Sequence, residues 1–129
     1  MSHDASVEQQ ILATIDKWVE QELRPIAREF DQADEYPSDL VEQMKELGLF
    51  GATISEEYGG LGLSASSYAR IVSRICVVWM APSGIFNSHL IMANCVERAG
   101  TQAQKEQFLP RFAAGELRGG IGLTEPDAG

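Results

Sequence analysis

The residues Leu123-Thr124-Glu125-Pro126-Asp127-Ala128-Gly129 combine the residue types of a cofactor-binding turn. Pro126 fixes its own φ and drives Glu125 toward an extended conformation, while Gly129 can take backbone angles closed to other residues. A loop of this kind can bring backbone N–H groups close to a phosphate or a ring carbonyl; the alternative is an ordinary polar turn. A second group of chemical side chains is Asn87, Ser88, His89 and Asn94, polar residues in a stretch otherwise suited to burial. Buried polar groups need partners, which a binding cavity or a well-satisfied core can supply, so His89 is either a ligand contact or a core histidine. The third is Glu56-Glu57-Tyr58-Gly59-Gly60-Leu61-Gly62-Leu63. It lacks the GxGxxG spacing and the Lys-Ser/Thr of a phosphate loop and has no βαβ pattern around it, so it reads as a crossover between helices with a solvated acidic pair.

The elements that must hold these groups read as helices. Val7, Ile11, Ile15, Trp18, Val19, Leu23, Ile26 and Phe30 recur at intervals of three and four, predicting a long amphipathic helix over about residues 6–34. Pro25 removes a backbone donor inside it, so a kink or short break is expected near Leu23. After Pro37, Ser38 is a candidate N-cap and Asp39 suits the positive end of a second helix that carries Leu40, Val41, Met44 and Leu47 to a left-handed stop at Gly48. Ser64 caps a third helix bearing Tyr68, Ile71, Val72, Ile75, Cys76 and Trp79, which should run to about Met80. Pro82, Ser83 and Gly84 read as a break before a fourth helix through Ile85, Phe86, Leu90, Ile91, Met92, Ala93 and Val96. That helix is apolar almost all round, which places it in the centre of the molecule or beneath another domain. Thr101 and Gln104 form a capping box for a fifth helix with Phe108, Leu109 and Phe112 inward and a kink expected at Pro110. Ile121-Gly122-Leu123-Thr124 reads as the start of a strand with no partner in the chain.

Size and charge narrow the functions. The 129 residues make one domain with an ordinary soluble composition, 44% hydrophobic and 22% charged. A formal net charge of −9 argues against nucleic acid or an anionic membrane as main partner, and requires any anionic ligand to find its cations locally or in further sequence. Cys76 and Cys95 form no CxxC motif and read as buried free thiols; with His3 among the first residues and His89 alone, no metal cluster assembles. No window reaches the roughly 20 apolar residues of a bilayer span, and the first residues carry neither a secretion nor a transit pattern, so cytoplasm is the expected location.

Three motifs in a fixed order then identify a family. Glu56-Glu57-Tyr58-Gly59-Gly60-Leu61-Gly62 follows a short helix; Gln104-Lys105 precedes Phe108-Leu109-Pro110 and Ala114-Gly115-Glu116; and Leu123-Thr124-Glu125-Pro126 leads to Ala128-Gly129. Together they resemble the N-terminal part of the acyl-CoA dehydrogenase family, from about Val7 onward. The resemblance implies an all-α fold, a five-helix orthogonal or up-down bundle over residues 1–119, with residues 120–129 as the first strand of a middle β-domain. It implies FAD as cofactor and an acyl-CoA thioester as substrate, with a carboxylate base taking the α-proton and a hydride passing from the β-carbon to the flavin. It also implies a homo-oligomer, usually a tetramer.

Carried over by position, Ile121, Leu123 and Thr124 match the segment against the flavin ring, with Thr124 as hydrogen-bond donor. Phe86, Asn87, Leu90 and Ile91 match the helix that borders the acyl-chain pocket. No catalytic residue is expected here, since the family's carboxylate lies far beyond this point and none of Glu56, Glu57, Glu116 or Glu125 matches it. The motif's usual Ser/Thr and Asp after Ala-Gly do not follow Gly129, so the chain alone is expected neither to hold FAD nor to catalyse. The other readings are a stand-alone, non-catalytic helical module binding a protein or an acyl ligand, and an acyl-CoA oxidase-like relative.

Overall fold

The computed structural model describes residues 5–128; His3 and Gly129 of the readings above lie outside them. Helix α1, Ala5–Trp18, continues through a π-helical segment, Val19–Leu23, into α2, Arg24–Ala33. These three pieces form the first expected helix. The break expected from Pro25 is the π segment just before it, where the Arg24 N–H bonds back to the Val19 carbonyl. Widening one turn to i→i−5 is how a helix absorbs a missing donor without ending. Leu23 is fully buried at this point, and Trp18 Nε1 donates to Gln43 Oε1 at 2.7 Å, tying α1 to the next helix.

Helix α3 spans Ser38–Glu46. Ser38 is its first residue rather than its cap; the capping position falls on Pro37, with no side-chain cap bond. Gly48, at φ +74°, supplies the expected left-handed stop. Residues 49–63 then form a crossover through two short 3-10 turns, Leu49–Gly51 and Glu56–Tyr58. The crossover folds on itself through Leu61 N–H to Gly51 O at 2.8 Å and Gly62 N–H to Ile54 O at 2.9 Å. It is fastened to the bundle where Glu97 accepts from the Ser55 N–H, at 3.2 Å, and from the Ser55 hydroxyl.

Helix α4, Ala65–Cys76, is capped as expected by Ser64, whose hydroxyl accepts the Ser67 N–H. It ends earlier than the sequence suggested, and α5, Met80–Ala99, starts earlier. The break therefore falls at residues 77–79, where Trp79 is extended (φ −158°, ψ 120°). Pro82 and Gly84 sit inside the first turns of α5, not between helices. A proline near a helix start gives up an N–H that has no intrahelical acceptor, so it costs nothing there. Trp79 is buried with its Nε1 donating to Asp31 Oδ1 at 2.9 Å, which pins the break to α2.

Helix α6, Gln102–Ala113, opens on the predicted capping box and runs on through Pro110. α4 packs on α1 and α5, and α5 also packs on α6 and the crossover, which puts α5 at the centre of an all-α body. The core includes Ile15, Leu23, Leu40, Met44, Phe50, Ile71, Ile75, Phe86 and Leu109. Residues 121–124, expected to begin a strand, form none; among the described residues the only pairing nearby is an isolated bridge between Glu125 and Ala128. A strand needs a neighbour to take its backbone groups, and here none lies alongside. No helix of the described residues is long and apolar enough to cross a membrane.

Candidate functional site

Helix α5 divides its side chains between two faces. Phe86, His89, Leu90 and Ala93 are buried and follow the 3.6-residue stripe of a core face. Asn87, Leu90, Ile91, Asn94, Cys95 and Arg98 follow a neighbouring stripe and, with Thr53, Leu63, Ala65 and Tyr68, line a groove of about 440 Å³. The groove therefore lies between α5, the start of α4 and the crossover.

Three of the four expected acyl-pocket residues, Asn87, Leu90 and Ile91, meet in this groove. Phe86 does not line it. That ring is fully buried, edge-on to Tyr68 with centroids 6.2 Å apart, so it is a core residue that supports the groove wall from behind. Sequence reasoning did not single out Tyr68 as a site residue, yet its hydroxyl donates to Asn87 Oδ1 at 2.8 Å. Burial, with a smaller contribution from Cys76, pushes the Tyr68 phenol up to about 12, so it remains a donor throughout the physiological range. The bond orients the Asn87 amide and fixes its oxygen as the acceptor, which leaves the NH₂ facing other partners. A tyrosine one face over from a polar helix residue was the available signal.

The groove wall carries one cation, Arg98, and no carboxylate or histidine among its described residues. It can hold an apolar chain with a polar end, but it offers no base for proton abstraction. No group of three or more His, Cys, Asp or Glu capable of holding a metal occurs among the described residues. Both cysteines are free; Cys76 is partly buried, whereas Cys95, expected to be buried, is exposed on the groove side of α5.

Ile121, Leu123 and Thr124 lie apart from that groove, all exposed, Leu123 at 86%. Two apolar side chains held out to solvent beside a hydroxyl that bonds no described residue are chemically suited to a flat aromatic ring with polar edges. The segment has no regular secondary structure and is open to solvent.

His89 proves to be a satisfied core histidine. It is 1% exposed, and its Nε2 lies 3.0 Å from the Phe50 carbonyl and 3.1 Å from the Phe112 carbonyl, while the Gly119 N–H points at Nδ1 from 3.2 Å. Carbonyls only accept and an amide N–H only donates, so Nε2 carries the proton and Nδ1 is bare: the ring is neutral. Burial holds its pKa below the ordinary histidine value despite the two carbonyls, with Arg118 adding a repulsive charge. The folded state thus resists a proton that the unfolded chain accepts below about pH 6.5. This contribution to stability is complete above that pH and declines as pH falls through it. Urea melts at pH 7.5, 6 and 5 should show the midpoint falling, and His89→Asn, which removes the titrating ring, should show a smaller fall over the same window.

Comparison with known proteins follows the same lines. A family model described as acyl-CoA dehydrogenase, N-terminal domain, matches residues 6–116. The short-chain specific acyl-CoA dehydrogenase of Clostridium acetobutylicum is 36% identical over 114 residues, covering 88% of this chain and 30% of that protein. The NADH-dependent acryloyl-CoA reductase of Anaerotignum propionicum is 35% identical, covering 100% of this chain and 33% of that protein. Among solved structures, butyryl-CoA dehydrogenase from Megasphaera elsdenii superposes with a TM-score of 0.85 at 30% identity, over 100% of this chain and 35% of that one. The chain spans about a third of the length of the relatives it matches.

Proposed function

The chain belongs to the acyl-CoA dehydrogenase family, matching its N-terminal domain, and on that premise we propose that it forms the helical part of an FAD-dependent enzyme acting across the Cα–Cβ bond of an acyl-CoA thioester. The observation that carries this reading is the groove in which Asn87, Leu90 and Ile91 converge, an apolar trough with one oriented amide. Leu90 and Ile91 would shed water against the acyl chain, and the Asn87 amide, held by Tyr68, would meet its polar end. Ile121 and Leu123 would lie against the flavin ring, with the Thr124 hydroxyl donating to its polar edge. When bound, FAD supplies the two-electron acceptor that side chains lack.

The groove's lack of a carboxylate supports assigning proton abstraction to a group outside these residues, so the 129 residues alone would be inactive. On this reading residues 1–119 form the helical domain and residues 120–129 lead into a β-domain. Val77 and Met80, 79% and 72% exposed at the α4–α5 junction, would be covered in a homotetramer. The match to a reductase supports keeping both directions of the reaction open to the parent enzyme.

Expressed with its whole reading frame, the protein is expected to purify yellow, with one flavin per chain, and to bleach when a saturated acyl-CoA is added without oxygen. The isolated 129 residues should purify colourless. A colourless whole protein that binds acyl-CoA unchanged would overturn this reading in favour of a non-catalytic helical module.

A further inference from the structure

The C-terminal stretch changes character at Gly119. Before it, Arg118 donates to the Tyr36 hydroxyl and lies over that ring, 5.8 Å from its centroid. Gly119 itself is pressed against α5 so closely that a Cβ there would stand 2.6 Å from Met92 Cγ. After it, a Cβ on Gly120 or Gly122 would meet nothing within 4 Å, and residues 120–128 are all exposed. At the boundary the Gly119 N–H donates to His89 Nδ1 at 3.2 Å.

We propose that His89 is a positioning residue for the flavin-facing segment: its neutral imidazole anchors Gly119, so that Ile121, Leu123 and Thr124 leave the helical body from a fixed point, and protonation of Nδ1 releases them. The role given to that segment rests on the function proposed above. The mechanism is a matter of donors and acceptors. A protonated Nδ1 presents an N–H to the Gly119 N–H, two donors face to face at hydrogen-bond distance, and one must move. The opposite side of the ring is held by backbone carbonyls of the crossover and of α6, and Nε2 keeps its proton in either state, so those bonds persist. The group free to move is therefore the glycine.

The surroundings favour one answer to acid. The crossover and α6 present the Phe50 and Phe112 rings, each edge-on with centroids 5.3 Å from the imidazole. The charged group acting on the ring is Arg118, beside the anchor itself, and it opposes a second positive charge. Release of Gly119 relieves both the paired donors and the repulsion.

The test is a pH titration of the ¹⁵N-labelled 129-residue chain by NMR, from pH 8 to pH 4.5. The expected result is one shared midpoint for the His89 ring proton on Cε1 and the Gly119 amide, below that of an ordinary histidine. Across it, Gly119 exchange, corrected for intrinsic rate, should accelerate about tenfold or more while the amides of α4 and α5 stay protected. His89→Asn keeps an acceptor near Nδ1 and should hold Gly119 protection within about threefold of the parent at every pH. His89→Gln keeps a donor near Nε2 but loses that acceptor, so Gly119 should be unprotected throughout. A Gly119 amide indifferent to His89 titration, or loss of all core amides together, overturns the proposal and leaves His89 a purely structural residue. The wild-type titration decides the matter even if neither variant folds. Because no flavin enters the measurement, a flavin-free parent enzyme would sink the functional reading without touching this result.

Discussion

Gly60→Ala is expected to destabilise the fold by at least about 3 kcal/mol, lowering the melting temperature by roughly 10 °C or more. A Cβ at Gly60 would stand 2.0 Å from the Ile54 carbonyl oxygen and 2.5 Å from its carbon, and both are backbone atoms. No rotamer change relieves such a contact; the two arms of the crossover must part. Parting them strains the Gly62 N–H to Ile54 O bond, which closes the loop beside Leu63, a groove residue. The control is Gly122→Ala, where a Cβ meets nothing within 4 Å. That change should be neutral within about 0.5 kcal/mol. Equal melting temperatures for the two variants would show that the crossover is not packed as described.

Phe86→Ala should be nearly as damaging, at about 3–5 kcal/mol, against an expected total stability of roughly 5–15 kcal/mol for a domain of this kind. The ring is fully buried, supports Tyr68 edge-on at 6.2 Å, and leaves a cavity behind the groove wall when removed. Ile91→Ala removes a side chain 49% exposed and should change stability by no more than about 0.5 kcal/mol. The contrast separates core from groove wall within a single helix. Denaturant unfolding of the two variants measures it directly, and a Phe86→Ala protein as stable as Ile91→Ala would place that ring outside the core.

The long first helix was legible because its apolar residues keep one period from Val7 to Phe30, and even the disturbance near Leu23 announced itself through Pro25. The Thr101 capping box was legible for a similar reason, since both partners sit within one turn and both are side chains of diagnostic type. The junction at residues 77–79 was not. Val77 and Val78 extend an apolar run past the point where the backbone turns, and Pro82 reads as a breaker unless it is known to lie in a first turn. Ser38 has the residue type of a cap, but it follows Pro37, which holds the capping position.

In the site, resemblance alone could not divide Phe86 from Asn87, adjacent residues whose side chains point about 100° apart on a helix. Helical spacing carries that information: 86, 89, 90 and 93 share the buried stripe, while 87, 91, 94 and 98 share the groove. The partners of His89 were beyond reach for a different reason. Two are carbonyls and one is an amide, at sequence separations of 39, 23 and 30, and backbone atoms leave no mark in the sequence.

Helix α5 behaves mechanically as a beam fastened along its length. Tyr68 grips it at Asn87, the crossover and α6 grip it at His89, and Ser55 grips it at Glu97. A beam so held cannot bow away from something pressed into the groove on its outer side. The width of that groove is thus set by fastenings spread along the helix, and any added bulk in an occupant would have to be met by swinging the exposed Ile91, Asn94 and Arg98 outward. Breadth of fit would reside in three surface side chains, and the rest of the trough would act as a rigid gauge.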